Sequence, residues 1–129
     1  KMVAGMLNGE KTGFRPTVED MYAGYTVIEN KFTGNTTIGI VMTNACFDKS
    51  RLCKIARMAQ NGLARSIRPV HTSADGDSVY AMSVGTVQAD MDMVGTLAAD
   101  VMSEAILSAV KNAETAYGYI SANDFLTEY

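Results

Sequence analysis

The sequence contains few of the residues and patterns on which several large protein classes depend. It has two cysteines and one histidine in 129 residues, too few for a disulfide framework or for a metal-binding cluster of the usual spacing. No uninterrupted apolar run approaches the roughly 18 residues that span a bilayer, and no secretory leader opens the chain. Neither glycine-rich phosphate-binding pattern, G-x-G-x-x-G or G-x-x-x-x-G-K-S/T, occurs. We therefore expect a cytoplasmic protein with no metal ion, no cofactor and no membrane partner.

What the sequence does contain is typical of a folded domain. Apolar residues make up 47% of the chain and the formal net charge is −3, a balance that argues against disorder. At this length the chain is expected to form about one domain and to bury a real core. It opens in the apolar run 1–7 without an initiator methionine. We therefore expect it to be the carboxy-terminal portion of a longer polypeptide.

Hydrophobic periodicity predicts two strand–helix pairs in the second part of the chain. Each strand is rich in β-branched residues, and each helix carries an apolar stripe behind an aspartate suited to N-capping. The first strand is apolar on both faces and is expected to be buried on both. Residues 14–35 are predicted to be a connection with a short helical turn near Val18–Tyr22. The predicted elements, which indicate an α/β fold with helices layered on a sheet, are a strand over 36–43, a helix from Asp48 to about Ile67, a strand over 78–87 and a helix from Asp90 to about Glu114.

Charge is distributed unevenly along these elements. Residues 48–68 carry six basic side chains and one acid, whereas residues 69–110 carry six acids and no Lys or Arg. One interpretation is a pair of solvated faces that pair across the fold or with a neighbouring subunit, and the other is a basic helix for nucleic acid. The basic segment has no interleaved aromatic residues and the chain is acidic overall. These features favour solvated faces and predict no nucleic-acid partner.

Thr36 lies at the junction between the predicted connection and the first strand. A threonine hydroxyl in this position can attack the carbonyl carbon of Asn35, and hydrolysis of the resulting ester would leave Thr36 as a new amino terminus. Its α-amine, with a free pKa of about 8, could then act as general base for its own hydroxyl. The alternative is a threonine that simply begins a strand.

Two carboxylates, Asp75 and Asp77, flank a glycine just before the second strand. Asp and Gly in this arrangement are typical of a hydrated turn. In the functional alternative, the two carboxylates face the start of the first strand, where they would orient an ammonium group or relay a proton.

The remaining candidates are the single histidine and the two cysteines. His71 lies in a polar loop, and Cys46 and Cys53 flank apolar positions near the start of the first long helix. Packed thiols are the favoured interpretation, and a Cys–His nucleophile pair is the alternative.

Three segments together resemble a known family. They are 35–45, which begins Asn-Thr-Thr-Ile-Gly-Ile, 58–72, which contains Asn-Gly-Leu-Ala-Arg-Ser-Ile-Arg-Pro-Val-His-Thr, and 75–86, which begins Asp-Gly-Asp-Ser-Val-Tyr. Their sequences resemble the self-cleaving P1-type peptidases, the L-aminopeptidase/D-esterase and β-peptidyl aminopeptidase group, which are distantly related to ornithine acetyltransferase. The resemblance extends from Lys1 to about Asp124 and is weakest in 14–33 and in the tail from residue 116.

The resemblance implies a fold and a division of the chain. The fold would be a four-layer α/β/β/α sandwich, of which this chain is a part. Residues 1–35 would end an upstream α-chain portion and contain the pre-cleavage linker, and residues 36–129 would be the β-chain portion with an N-terminal nucleophile. Members of the group usually form tetramers or larger homo-oligomers.

The resemblance also assigns roles to four residues. Thr36 aligns with the nucleophile, and Asn35 would supply the cleaved carbonyl. Asp75 and Asp77 align with a Ser-x-Glu pair that assists the nucleophile, so this chain differs from that pattern at both positions. Of the two, Asp77 is the residue expected to contact Thr36 or its amine. The asparagine that stabilises the oxyanion in the family would lie upstream of Lys1.

The resulting hypothesis is a self-processing aminopeptidase or amidase. It would release N-terminal residues from small peptides, amides or esters through an acyl-threonine intermediate on Thr36, without a metal ion. One alternative is an acyltransferase of the ornithine acetyltransferase type that uses the same threonine. Another is a non-enzymatic interaction domain that keeps the fold without the activity.

Overall fold

The computed structural model describes residues 2–24 and 36–126, which form a mixed α/β structure. Two compact units are present, one from Lys1–Val27 with Ala105–Tyr129 and one from Ile28–Glu104. The strand–helix–strand–helix order predicted after residue 36 is confirmed. The described strands and helices, in chain order, are α1 (Thr17–Tyr22), β1 (Ile38–Ala45), α2 (Lys49–Ser66), β2 (Ser78–Val87), α3 (Met91–Asn112) and α4 (Ala122–Leu126).

The two strands form a parallel pair connected by α2. The register starts with Ile38 opposite Ser78 and continues in step to Thr43 opposite Ser83, after which it shifts at a bulge before Ala45. β2 has the predicted bounds, whereas β1 begins two residues later than predicted and continues to Ala45. Because the strands are parallel, their amino-terminal ends lie at the same edge of the sheet.

Side-chain caps begin both long helices where the sequence predicts them. Oδ1 of Asp48 accepts from the Arg51 N–H at 2.8 Å, and Oδ1 of Asp90 accepts from the Met93 N–H at 2.8 Å. Each cap satisfies one of the N–H groups that a helix start leaves without an intrahelical partner.

The core of the larger unit lies between one face of the sheet and the two long helices. Ile55, Ala59 and Leu63 of α2 are fully buried. The apolar stripe predicted for the helix that begins at Asp90 includes Leu97 and Val101. That prediction is partly wrong, since both residues are exposed. The buried face of α3 consists of Gly95, Ala98, Ala99 and Met102. Three of these four residues are small, which allows the two helices to approach closely.

Contacts between α2 and α3 show how close this approach is. A Cβ added at Gly62 would lie 2.5 Å from the carbonyl oxygen of Ala99. One turn further on, the hydroxyls of Ser66 and Ser103 are 2.6 Å apart. On the outer surface, Arg65 of α2 forms an ion pair with Asp100 of α3. The predicted basic face of α2 is exposed, in keeping with solvated faces that pair across the fold.

The opposite face of the sheet is apolar and exposed, so the expectation that β1 is buried on both faces is wrong for this chain. The pattern itself is correct, because both faces carry apolar side chains, but only the face towards the helices is covered. The exposed side chains, each between 46% and 69% accessible, are Ile38, Ile40, Met42, Tyr80, Met82 and Val84.

Among the described residues, α3 is the one helix that is long and apolar enough to cross a membrane by length and composition. A helix packed in a protein core passes the same test, and the small residues of α3 contact α2. The absence of a membrane partner therefore stays a prediction.

In the smaller unit, a polar cluster precedes α4. Ser121 donates its amide to the Thr115 hydroxyl at 2.7 Å and its own hydroxyl to Asp124 at 3.1 Å. The Thr115 hydroxyl also donates to the Asp124 carboxylate. These hydrogen bonds, that from Thr115 first, lower the pKa of Asp124 below its ordinary value of 3.8 because they favour the ionised form.

Candidate active site

The parallel register brings the two predicted site segments together at one edge of the sheet. Since Ile38 lies opposite Ser78, the residues just before each strand also face one another. The Ser78 N–H donates to the carbonyl oxygen of Thr37 at 2.9 Å, which continues the strand pairing beyond β1. Thr36 and the Asp-Gly-Asp segment therefore lie side by side, although 40 residues separate them in the sequence.

Asp77 is the acidic residue at the centre of this edge. Its Oδ1 accepts from the Thr37 N–H at 2.9 Å, and its side chain is only 5% exposed. An ionised carboxylate this buried is costly unless hydrogen-bond donors or positive charge surround it. The Thr37 amide supplies one such donor, one residue away from the predicted nucleophile.

Gly76 lies directly against the side chain of Thr36. A Cβ added at Gly76 would be 2.8 Å from Oγ1 of Thr36, closer than real Cβ contacts. The absence of a side chain at Gly76 thus leaves room for the threonine hydroxyl in its present position. Thr36 itself is an exposed residue.

Asp75 is engaged within its own loop. Its Oδ2 accepts from the Thr72 N–H at 2.6 Å, and its own N–H donates to the carbonyl oxygen of Thr72 at 3.1 Å. Such reciprocal bonds close a tight turn. Asp75 therefore forms a turn, as one of its two interpretations from the sequence expects. Its catalytic role stays a prediction.

His71 occupies the outer side of the same loop. Its Nε2 is 2.9 Å from Oε1 of Gln60 on α2 and 4.0 Å from Oδ2 of Asp77. Its φ is +56°, in the left-handed region that non-glycine residues seldom adopt. The sequence places His71 in a polar loop and gives no signal that connects it with Asp77 or Gln60. A glutamine on a helix gives no local signal that would reveal such a contact.

Two other predictions have different outcomes. Asn35, the predicted carbonyl donor for cleavage, lies outside the described residues. Cys46 and Cys53 are free and exposed, so the interpretation as packed thiols is wrong for this chain; both lie on outward-facing positions. Within residues 2–24 and 36–126, no three His, Cys, Asp or Glu side chains form a group that could hold a metal ion.

Comparison with known proteins identifies relatives over most of the chain. The model of Peptidase family S58 matches residues 2–123. An uncharacterized aminopeptidase of Mycobacterium leprae is 34% identical over 84% of this chain and 34% of its own length. An uncharacterized aminopeptidase of Mycobacterium tuberculosis is 35% identical over 70% of this chain and 30% of its own length.

A relative of a different description is the 6-aminohexanoate-oligomer endohydrolase of a Kocuria species. It is 30% identical over 60% of this chain and 26% of its own length. The chain thus spans about a third or less of the length of the curated relatives it matches. Because the family match extends over nearly the whole chain and includes every residue of the strand edge, the chain belongs to Peptidase family S58.

Proposed function

We propose that this chain is the nucleophile-bearing part of a self-processing hydrolase, with Thr36 as its nucleophile. The observation that carries the proposal is the arrangement at the strand edge. Gly76 leaves room for the Thr36 hydroxyl, and the buried Asp77 carboxylate binds the amide of the next residue. Membership of a peptidase family supports the hydrolytic class.

The first reaction would cut the chain between Asn35 and Thr36. Oγ1 of Thr36 attacks the carbonyl carbon of Asn35, the C–N bond breaks, and the nitrogen takes up a proton to become the α-amine of Thr36. The residue 35 acyl group is then an ester on Oγ1. Water hydrolyses this ester, leaving a carboxylate at residue 35 and a free amino-terminal threonine.

The second reaction would repeat this chemistry on a substrate. The α-amine of Thr36 accepts the proton of its own hydroxyl while Oγ1 attacks the substrate carbonyl. The resulting ammonium gives a proton to the leaving amine, and water hydrolyses the acyl-Thr36 ester. Asp77 lies close enough to the Thr37 amide to hold the charged α-ammonium near its carboxylate, which is the role we propose for it.

The exposed apolar face of the sheet supports the larger architecture. Monomeric proteins rarely expose so continuous an apolar surface, and such surfaces are usually covered by another layer. We propose that an upstream α-chain portion of the same polypeptide covers this face with a second sheet, giving the four-layer α/β/β/α sandwich. Since the curated relatives are about three times as long as the matched region, there is chain enough for such a layer. A cytoplasmic homo-oligomer is proposed on the family resemblance.

The substrate class is proposed from the names of the relatives. Aminopeptidase and oligomer endohydrolase both denote enzymes that cut chains of linked units. We propose that this protein hydrolyses small peptides, amides or esters and releases an amino-terminal residue. Because one relative is named as an oligomer endohydrolase, amide oligomers belong in the same substrate panel.

Intact-mass spectrometry of the complete gene product tests the proposal. We expect two chains that separate between Asn35 and Thr36 in the wild type, a single chain in Thr36→Ala, and two chains again in Thr36→Ser, which keeps a hydroxyl. Thr37→Ala is the matched control, because it changes the neighbouring side chain while the amide bound by Asp77 remains. Cleavage in Thr36→Ala at the wild-type rate would refute the proposal.

The same protein separates the two alternatives. Transfer of acetyl from acetylornithine to glutamate would identify an acyltransferase. A folded, assembled, uncut chain without turnover would identify a non-enzymatic domain.

A further inference from the structure

We infer that His71, anchored by Gln60, is the positioning residue for the Asp77 carboxylate. The inference rests on the function proposed above for Asp77, and it assigns a task to two residues that the proposed reaction does not otherwise use.

The hydrogen bond between His71 and Gln60 fixes where the imidazole ring lies. Nε2 of His71 is 2.9 Å from Oε1 of Gln60. The same nitrogen is 4.0 Å from Oδ2 of Asp77, so the ring held by Gln60 lies directly beside the buried carboxylate.

The two oxygens of Asp77 face different groups. Oδ1 accepts from the Thr37 amide at 2.9 Å, and Oδ2 faces the imidazole of His71. With its side chain 5% exposed, Asp77 depends on these neighbours rather than on water. If the imidazole were removed, the carboxylate would be free to rotate and its hydrogen bond to Thr37 would weaken.

The backbone of His71 points to the same conclusion. Its φ of +56° is a conformation that glycine adopts without cost and that most other residues avoid. On the other side of the loop, the Thr72–Asp75 hydrogen bonds hold the turn. Strain of this kind persists where surrounding contacts hold it, and it occurs often at active sites. The contacts available to hold this conformation include those of the side chain with Gln60 and Asp77.

Gln60 completes the connection to the rigid part of the fold. It lies in the middle of α2, within one turn of the fully buried Ala59 and Leu63. The imidazole is thus fastened to a packed helix rather than to its own loop alone. Gln60, His71 and Asp77 should then act as one unit.

The test uses His71→Gly, His71→Gln, Gln60→Ala and the double variant His71→Gly/Gln60→Ala in the complete gene product. His71→Gly removes the imidazole and suits the left-handed backbone, and thermal melting of each variant shows whether the fold is kept. In His71→Gln the side-chain nitrogen stands three bonds from Cβ, as Nε2 does in histidine. Ser73→Ala, an exposed residue of the same loop, is the matched control.

Two readouts are needed. The first is the rate of self-cleavage from intact mass, and the second is hydrogen exchange of the Thr37 amide in a Thr36→Ala background, which does not depend on activity. The Asp77–Thr37 hydrogen bond holds the backbone next to Thr36, and displacement of a reacting group by a fraction of an ångström can lower a rate about tenfold. We therefore expect His71→Gly to slow cleavage by about tenfold or more. We also expect it to speed Thr37 exchange, with a melting temperature no lower than that of the wild type.

His71→Gln should restore both readouts, and the double variant should be no worse than the worse single variant, because the residues act together. Wild-type cleavage and exchange in His71→Gly would overturn the inference, as would failure of His71→Gln or additive losses in the double variant. If the wild type is never cut but Thr37 exchange still responds to His71→Gly, the proposed reaction fails and the positioning role stands.

Discussion

The tight fit between Gly76 and Thr36 gives a sharp prediction, because Gly76→Ala should move the Thr36 hydroxyl without weakening the fold. The new Cβ would lie 2.8 Å from Oγ1, and ordinary contacts begin at 3.4 Å, so the two atoms must separate by about 0.6 Å. The shift is expected at Thr36, because this residue is exposed and precedes β1. Gly76 is exposed and its φ lies outside the left-handed region, so alanine fits its backbone.

The expected magnitude follows from that displacement. A misplacement of 1 Å at a reacting group can lower a rate by about 100-fold, so 0.6 Å corresponds to a loss of about tenfold. Stability should change in the opposite direction, since Gly→Ala at a compatible backbone position raises the free energy of unfolding by about 0.4–1 kcal/mol.

The assay follows self-cleavage of freshly translated gene product by intact mass, with thermal melting of the same variants. Gly9→Ala is the matched control, because a Cβ at Gly9 meets nothing within 4 Å and its φ is also outside the left-handed region. A Gly76→Ala protein that cleaves as fast as Gly9→Ala would refute the placement of the Thr36 hydroxyl. A Gly76→Ala protein that melts well below the control would refute the argument that only the threonine moves.

Three further predictions concern packing, the open sheet face and pH. Gly62→Ala should lower the free energy of unfolding by about 2 kcal/mol, since its Cβ meets a rigid carbonyl of α3. Gly95→Ala should lower it less, because its Cβ meets a flexible methionine side chain. Urea melts of the two variants compare these losses. Ile40→Asp should destabilise the complete gene product if another layer covers the sheet face, and an unchanged melting temperature would contradict that layer. The hydrogen bond from Thr115 lowers the pKa of Asp124 below its ordinary value. The stability that this gives the cluster of Thr115, Ser121 and Asp124 is fully present above the unfolded pKa, about 3.9, and is lost as pH falls through the lower folded value. An NMR titration midpoint at or above the unfolded value would contradict this.

Local signals account for the parts of the fold that the sequence predicts well. Asp48 and Asp90 both cap helices where expected, because capping depends on a side chain and an amide three residues apart. The bounds of β2 are also correct, since alternation and flanking turn residues define them within one segment. The family resemblance, which depends on linear motifs, is confirmed by the match over residues 2–123.

Tertiary contacts account for what the sequence does not reveal. Leu97 is a large apolar residue on a helix, yet it is exposed while Gly95 is buried, because close helix packing selects small side chains rather than the most apolar ones. Likewise, the contact between Gln60 and His71 joins a helix to a loop, and neither residue type predicts it from the sequence. The nearness of Gly76 to Thr36 depends on strand register, which pattern alone leaves open. The catalytic roles of Thr36, Asp75 and Asp77 stay predictions.

The backbone pairing at Thr37 has a consequence for what a cut before Thr36 would produce. Chain ends normally fray, because nothing ties down their first few residues. Here the second residue of the new chain, Thr37, is held on both sides. Its N–H donates to the Asp77 carboxylate, and its carbonyl oxygen accepts from the Ser78 N–H. The severed end would therefore stay in register with the sheet instead of drifting into solvent. The new amino terminus would already be in place when it forms. Cleavage and alignment of the proposed catalytic amine would therefore be a single event.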